Sequence, residues 1–261
     1  MGADLLCIEL KNALLQRACP LCWRMEEYTR RAIVHFLREG KSVAQAVLSL
    51  ARSFGLCQQH AWLLAEIEPE EFGDGMSTAT LYDGLMDHWL RTLRWEPPTG
   101  HHGRRRRWPF RRTENRARNG AEGMIEQLNP KGVCHLCRLL GSYERILAWG
   151  LQRFLSESRG DEAFRALYRK CRGLCLPHFR MTLAEVDDDL ALKILIEVQR
   201  ERMQAISAEL KEYLRKHDYR FAHEPYGPER DAWIRVIALI AGGIPKEIPT
   251  RDADRRADLR I

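Results

Sequence analysis

"CPLCW" at 19–23 and "GLCQQH" at 55–60 are the segments that decide how this chain is organised. The first has two cysteines separated by two residues, and the second has a cysteine and a histidine at the same separation. Both patterns return downstream, as "CHLCR" at 134–138 and "GLCLPH" at 173–178. The chain therefore carries the combination of Cys-x-x-Cys and Cys-x-x-His twice.

The residues of these motifs are of the types that bind zinc. Cys-x-x-Cys presents two thiolates on one side of a tight turn, and Cys-x-x-His places a sulfur and an imidazole within about one helical turn. One pair of each kind completes the closed tetrahedral set of a structural zinc site. The alternatives are an iron–sulfur cluster on the same residues, or reactive Cys-x-x-Cys thiols. The predicted metal ligands are Cys19, Cys22, Cys57, His60, Cys134, Cys137, Cys175 and His178.

The order of the motifs leaves open which pairs share a metal. We expect each half of the chain to close its own site, because a helical hairpin can return the chain to its start. The hairpin has 34 residues between Cys22 and Cys57, and 37 between Cys137 and Cys175. The shorter loop also saves about 1 kcal/mol of chain entropy. The alternative is an exchange, in which the first Cys-x-x-Cys meets the second Cys-x-x-His.

The two halves of the chain match beyond these residues. The Cys-x-x-Cys cysteines recur after 115 residues, and the Cys-x-x-His residues recur after 118. The segment "YTR" at 28–30 matches "YER" at 143–145 at the offset of 115. An internal duplication explains these matches. We therefore predict two helical repeats, residues 1–95 and 121–261, each clipped by a Cys₃His metal site.

Helical patterns dominate both predicted repeats. The segment at 24–39 has apolar side chains at three- and four-residue spacing. Asp161 is placed to cap a helix that ends before Gly173. Residues 187–217 predict a longer helix, with acidic residues at its start and basic residues at its end. Since we find no convincing alternating strand pattern, we predict an all-α fold.

Residues 96–120 differ in composition from the rest of the chain. They contain eight arginines and two glutamates, so their net charge of +6 equals that of the whole chain. Prolines, glycines and the lack of apolar periodicity predict a disordered basic linker. The alternative is an arm that binds nucleic-acid phosphates and stacks an aromatic ring on bases. The candidate nucleic-acid residues are Arg104, Arg105, Arg106, Arg107, Trp108, Arg111 and Arg112.

Composition indicates a globular protein outside the membrane. The chain is 45% hydrophobic and 30% charged, and its longest apolar run, at 236–244, is too short to cross a bilayer. The N-terminus lacks the pattern of a signal peptide. We therefore expect a cytoplasmic protein with no membrane partner. Paired cysteines in the cytoplasm indicate metal or redox chemistry more often than disulfides.

The assembled motifs resemble an uncharacterised prokaryotic family of unknown function. That family has a C-P-x-C near the N-terminus, a G-x-C-x-x-H after a helical hairpin, and the same pair repeated. The resemblance covers nearly the whole chain outside the linker and extends to "HDYRFAHEPYGPERDAWIRVIALIAG" at 217–242. His135 departs from the pattern, because it stands where the second C-P-x-C would have proline. The family implies no established reaction.

The motifs favour a binding role over catalysis. The sequence has no G-x-S-x-G, no phosphate-binding glycine loop and no H-E-x-x-H, and a Cys₃His zinc site has no open coordination position. We therefore predict a metal-binding helical scaffold with a protein partner. The alternatives are a redox protein and a nucleic-acid-associated protein. Cys171 is expected to be an ordinary helix cysteine and not a fifth ligand.

Overall fold

A computed structural model describes residues 2–39, 44–92, 121–221 and 223–244 of the chain. Over these residues the protein is helical and contains no strand, which confirms the predicted all-α fold. The predicted linker at 96–120, with its candidate nucleic-acid residues, lies outside the described residues. None of the described helices combines the length and the apolar character needed to cross a membrane.

The described residues form eleven α-helices. The α-helices are α1 (Gly2–Leu14), α2 (Pro20–Glu39), α3 (Ala44–Ser53), α4 (Gln58–Phe72), α5 (Met76–Thr92), α6 (121–128), α7 (His135–Leu155), α8 (Glu162–Lys170), α9 (Leu176–Ala184), α10 (Asp189–Lys216) and α11 (Ala232–Ala241). A short 3₁₀-helix, Pro228–Asp231, precedes α11.

The helices form two compact units that do not follow the two sequence halves. The outer unit combines Met1–Glu27 with Ser142–Ile261, and the central unit is Tyr28–Gly141. The chain leaves the outer unit within α2 and returns to it within α7. Each unit therefore takes residues from both of the predicted repeats.

The outer unit has a core of aliphatic and aromatic side chains from several of its helices. Leu10 from α1, Leu147 from α7 and Leu195 from α10 have no exposed surface. Phe164 and Tyr168 from α8 are also completely buried. Because an aromatic side chain buries roughly 150–250 Å², α8 is a large contributor to this core despite its nine residues.

A buried polar network joins α1, α2 and α7 inside the outer unit. Arg24 is 4% exposed and forms ion pairs with Glu9, at 2.9 Å, and with Glu27. Arg24 also donates a hydrogen bond to the Tyr143 hydroxyl at 2.8 Å, and that hydroxyl donates to Glu9 at 3.0 Å. The buried guanidinium is thus neutralised on two sides, as a buried charge requires.

Two helix starts in the outer unit agree with the sequence prediction. The Asp161 carboxylate accepts a hydrogen bond from the Phe164 amide at 2.6 Å, which makes it the N-cap of α8. Asp188 caps α10 in the same way. The helix predicted over 187–217 therefore begins two residues later and ends one residue earlier than expected.

The central unit has its own core, to which four helices contribute. Ile33 and Leu37 from α2, Leu50 from α3, Leu64 from α4 and Leu85 from α5 are each at most 1% exposed. These side chains come from helices on both sides of the α3–α4 turn, so the core fixes where that turn lies. The turn ends at Cys57, and His60 of the same motif lies in the first turn of α4.

Glu68 organises the start of α5 from within the central unit. Its carboxylate is 1% exposed and accepts hydrogen bonds from the Ser77 amide at 2.5 Å and the Thr78 amide at 3.0 Å. Burial raises the pKa of Glu68, but the hydrogen bonds from Thr78 and Ser77 outweigh burial and leave the pKa below its usual value. The carboxylate therefore stays ionised and satisfies amides that the helix itself leaves without partners.

Candidate metal centres

Each compact unit contains one group of four cysteine and histidine side chains. In both groups, one ligand atom from every side chain lies within 4.8 Å of the others. Together the groups contain all eight residues that the sequence predicted as ligands. Site 1, in the outer unit, consists of Cys19, Cys22, Cys175 and His178; site 2, in the central unit, consists of Cys57, His60, Cys134 and Cys137.

The pairing of the motifs differs from the one we expected. Each site joins the Cys-x-x-Cys of one half to the Cys-x-x-His of the other half, so the expectation that each half closes its own site is wrong. The helix after the first Cys-x-x-Cys explains the difference. It has 20 residues and is therefore about 30 Å long, which carries the chain away from Cys19 and Cys22. The entropic preference for the shorter loop is about 1 kcal/mol, which is small compared with the free energy gained when whole helices are buried.

All four motifs lie at the start of a helix. Cys19 and Cys22 flank the first residues of α2, and the second Cys-x-x-Cys flanks the first residues of α7. Cys57 and Cys175 are the N-cap residues of α4 and α9, with nearly identical backbone angles of −64°, 161° and −67°, 157°. The partial positive charge at a helix N-terminus favours thiolates. The local structure therefore suits cysteines that bind a cation.

The distances within site 1 fit a single tetrahedral ion. The Nδ1 atom of His178 lies 3.1 Å from Cys175 Sγ, 3.3 Å from Cys22 Sγ and 3.5 Å from Cys19 Sγ. The sulfurs of Cys22 and Cys175 are 3.7 Å apart. Zinc bonds of about 2.3 Å to sulfur and about 2.0–2.1 Å to nitrogen imply edges of roughly 3.8 Å between two sulfurs and roughly 3.5 Å between sulfur and nitrogen.

Two further groups hold the ligands of site 1 in place. The Nε2 atom of His178 lies 2.8 Å from a carboxylate oxygen of Glu144, and the Gly243 amide donates a hydrogen bond to Cys22 Sγ at 3.2 Å. A carboxylate on the outer nitrogen fixes the ring orientation and tautomer of a metal-binding histidine. No sequence signal identified Glu144, because its counterpart at the offset of 115 is Thr29.

The electrostatics of site 1 show how strongly it attracts positive charge. Burial lowers the pKa of His178, but hydrogen bonds to Cys175, Cys22 and Glu144 outweigh burial and raise the pKa to about 11. Hydrogen bonds from Cys19 and Cys22 lower the pKa of Cys175 far below its usual value. Burial, in contrast, raises the pKa of Cys19. The site thus favours a thiolate at Cys175 and positive charge at His178, whereas Cys19 keeps its proton more readily.

Site 2 has the same inner arrangement in the central unit. His60 Nδ1 lies 3.2 Å from Cys57 Sγ, 3.4 Å from Cys137 Sγ and 3.8 Å from Cys134 Sγ. The sulfurs of Cys57 and Cys137 are 3.6 Å apart. These values again lie near the edges of a tetrahedron around one zinc ion. Each site therefore offers three sulfurs and one Nδ1 atom.

The surroundings of site 2 differ from those of site 1. Among the described residues, no hydrogen bond reaches His60 Nε2, whereas His178 has Glu144 there. Burial alone lowers the pKa of His60, and burial raises that of Cys137 to about 12. Cys57 and Cys137 are only partly buried. Site 2 is thus more exposed to solvent than site 1, and its histidine lacks the carboxylate contact that His178 has.

The remaining candidate residues lie outside both groups. Cys171 is buried, ends α8 and accepts a hydrogen bond from the Gly173 amide at 3.2 Å. The group at site 1 does not include it. His135 lies between the two cysteines of its motif, and its ring contacts Phe36 with centroids 5.9 Å apart. Cys7 packs against the outer core.

The fold and these two groups define a class: an all-helical protein with two Cys₃His groups that can each hold a metal ion. A family model matches residues 1–247, and the chain belongs to that family, a family of unknown function (DUF6062). The resemblance inferred from the motifs is thereby confirmed. Neither the curated proteins nor the solved structures contain a match to this chain.

Proposed function

We propose that the protein binds two structural zinc ions and serves as a helical scaffold for a partner protein. The observation that carries this proposal is the pair of four-ligand groups, each assembled from two helix starts. Four protein ligands complete the coordination of zinc and leave no position for a substrate. The sites therefore suit a structural role and not catalysis.

The position of site 1 in the chain supports a structural role. It connects the start of α2 to the start of α9, and its sulfurs from Cys22 and Cys175 come from positions 153 residues apart. Cys19 packs against the hydrophobic core of the outer unit. A metal that binds such a site only in the folded state contributes its binding free energy to folding. Zinc would hold the N-terminal segment against the C-terminal helices of the same unit.

The ligand distances favour zinc over an iron–sulfur cluster. In an iron–sulfur cluster at most two of the four protein ligands bind the same iron atom, so the other ligands must lie farther away. In each site all three sulfurs instead lie close to the same histidine Nδ1 atom, at 3.1–3.5 Å in site 1 and 3.2–3.8 Å in site 2, as around one tetrahedral ion. At site 1 the redox alternative is disfavoured because it requires exposed, reactive thiols, whereas Cys22 and Cys175 are buried.

Internal duplication remains part of the proposal. It is supported by the repeated motifs and by the nearly identical backbone angles of Cys57 and Cys175. In this view each copy contributes one motif to each site, so the two copies exchanged partners. Because the ligand sets need reduced thiols, we also propose a reducing compartment such as the cytoplasm.

A protein partner is the proposal that the exposed apolar side chains favour. In the central unit, Trp62 is 68% exposed, Leu90 is 63% exposed and Met86 is 51% exposed. Tryptophan and methionine are enriched where proteins contact each other. A nucleic-acid partner would instead rest on the basic segment at 96–120, and a salt-dependent affinity that deletion of 103–112 abolishes would identify it.

Metal analysis of the full chain, purified without oxygen, tests the proposal. We expect two zinc ions per chain and no absorption in the visible range. Bound iron with visible absorption would support an iron–sulfur cluster in place of zinc. A folded protein with no bound metal would contradict both the zinc and the cluster hypotheses. Removal of zinc by a chelator should lower the melting temperature, and added zinc should restore it.

A further inference from the structure

A cavity of about 430 Å³ opens beside site 1 in the outer unit. Its wall is formed by the segment before α2, the segment between α8 and α9, and the facing sides of α10 and α11. Cys19 and Cys175 contribute to the wall, so the cavity adjoins the metal centre. Its volume falls in the range of small-molecule sites, roughly 300–1,000 Å³.

The cavity is lined by many more basic side chains than acidic ones. Glu209 is its one acidic side chain, and Arg235 forms ion pairs with Glu209 and with Asp231 outside the cavity. The remaining basic side chains have no carboxylate partner within the part of the chain that the structure describes. They are Arg17, Lys170, Arg172 and Arg202.

Arg202 contributes one of two buried polar atoms of this cavity that lack a hydrogen bond among the described residues; the other, Glu209 Oε2, is ion-paired with Arg235. One terminal nitrogen of the Arg202 guanidinium donates to the Arg169 carbonyl at 2.9 Å, which holds the group at the wall. Its Nε atom is buried and has no hydrogen-bond partner among the described residues. A buried donor left without an acceptor is destabilising, so an anion that accepts from it would be favoured.

The metal centre does not account for this positive charge. Three thiolates, a neutral imidazole, one Zn²⁺ and the Glu144 carboxylate carry a net charge of −2, which two cations offset. Four cations without carboxylate partners therefore exceed what the centre needs. Concave surfaces lined by one sign of charge raise the local concentration of the opposite ion, and the guanidinium fork matches phosphate oxygens.

We propose that this cavity binds the phosphoryl group of a small molecule. A phosphoryl group carries about −1.5 to −2 charges at neutral pH and three acceptor oxygens, whereas a single carboxylate carries one charge. Arg202 would contact the group from the inner wall, Lys170 from the end of α8 and Arg172 from the segment that follows it. The proposal rests on the cavity and its charges and not on the identity of the metal.

Calorimetric titration of the full-length, metal-loaded protein tests the proposal. Inorganic phosphate and ribose 5-phosphate are titrated separately at constant ionic strength, with chloride as the replaced ion. We expect saturable binding of one molecule per chain. Tighter binding of ribose 5-phosphate would identify an organic phosphate as the ligand, and equal binding of both would identify the phosphoryl group alone. No saturable binding of either probe would overturn the proposal.

Matched variants distinguish a defined phosphate site from general electrostatic attraction of phosphate to the protein surface. Arg202→Gln and Arg172→Gln should each weaken binding roughly ten- to a hundredfold, because each removes charge-assisted hydrogen bonds. Arg200→Gln removes the same charge from the same helix as Arg202, at an exposed position outside this cavity, and should leave binding unchanged. Equal losses in all three variants would contradict a site. Arg172 is exposed, so its variant remains informative if Arg202→Gln fails to fold.

Discussion

Glu144 provides a sharp test of how site 1 holds its metal. Its carboxylate lies 2.8 Å from His178 Nε2, and Glu144→Gln keeps the shape of the side chain while it removes the charge. Loss of such an outer partner typically weakens metal affinity by about 10–100-fold, or roughly 1.4–2.7 kcal/mol. Because the Glu144 side chain is 30% exposed, water can partly replace it, so we expect about tenfold.

Competition with a zinc chelator of known affinity measures this change. Both proteins carry Cys57→Ser, which removes a ligand of site 2 and leaves site 1 as the zinc site under test. Glu162→Gln is the matched control, since Glu162 forms surface ion pairs with Arg165 and Arg169 and belongs to neither group of ligands. Unchanged affinity in Glu144→Gln, or an equal loss in the control, would refute the assigned role of the carboxylate.

Two further predictions concern the stability of the outer unit. Tyr143→Phe should lower the free energy of unfolding by about 1.5–3 kcal/mol, because it removes hydrogen bonds to the charged groups of Arg24 and Glu9. Urea denaturation of the zinc-loaded protein measures this free energy. A change below about 0.5 kcal/mol would show that the network adds little stability. Asp161→Ala should lower the free energy of unfolding by about 1 kcal/mol, because it removes the N-cap of α8. Asp161→Asn retains a hydrogen-bond acceptor and should lower it less. Equal losses in the two variants would show that the cap does not cause the loss of stability.

The helices and the ligand residues were accessible from sequence because both depend on local patterns. The apolar spacing over 24–39 reappears as α2, and the predicted cap at Asp161 accepts its hydrogen bond. The Cys-x-x-Cys and Cys-x-x-His spacings likewise place their side chains on one side of a helix start. Local chemistry therefore identified all eight side chains that the two groups contain.

The pairing of the motifs was not accessible because it depends on packing between distant segments. The sequence offered a loop-entropy argument worth about 1 kcal/mol, which the course of a 20-residue helix easily reverses. The supporting contacts are equally non-local. Glu144 is 34 residues from His178, and Gly243 is 221 residues from Cys22. Only the assembled outer unit brings these groups together.

The exchanged pairing is the central claim, and the zinc content of two double variants tests it most directly. Cys19→Ser with Cys175→Ser removes two ligands of site 1, whereas Cys19→Ser with Cys57→Ser removes one ligand from each site. Native mass spectrometry of both proteins counts the bound zinc, and circular dichroism checks that the helices remain. We predict one zinc ion for the first double variant and none for the second. The reverse result, none for the first and one for the second, would show that each half of the chain closes its own site and would contradict the account.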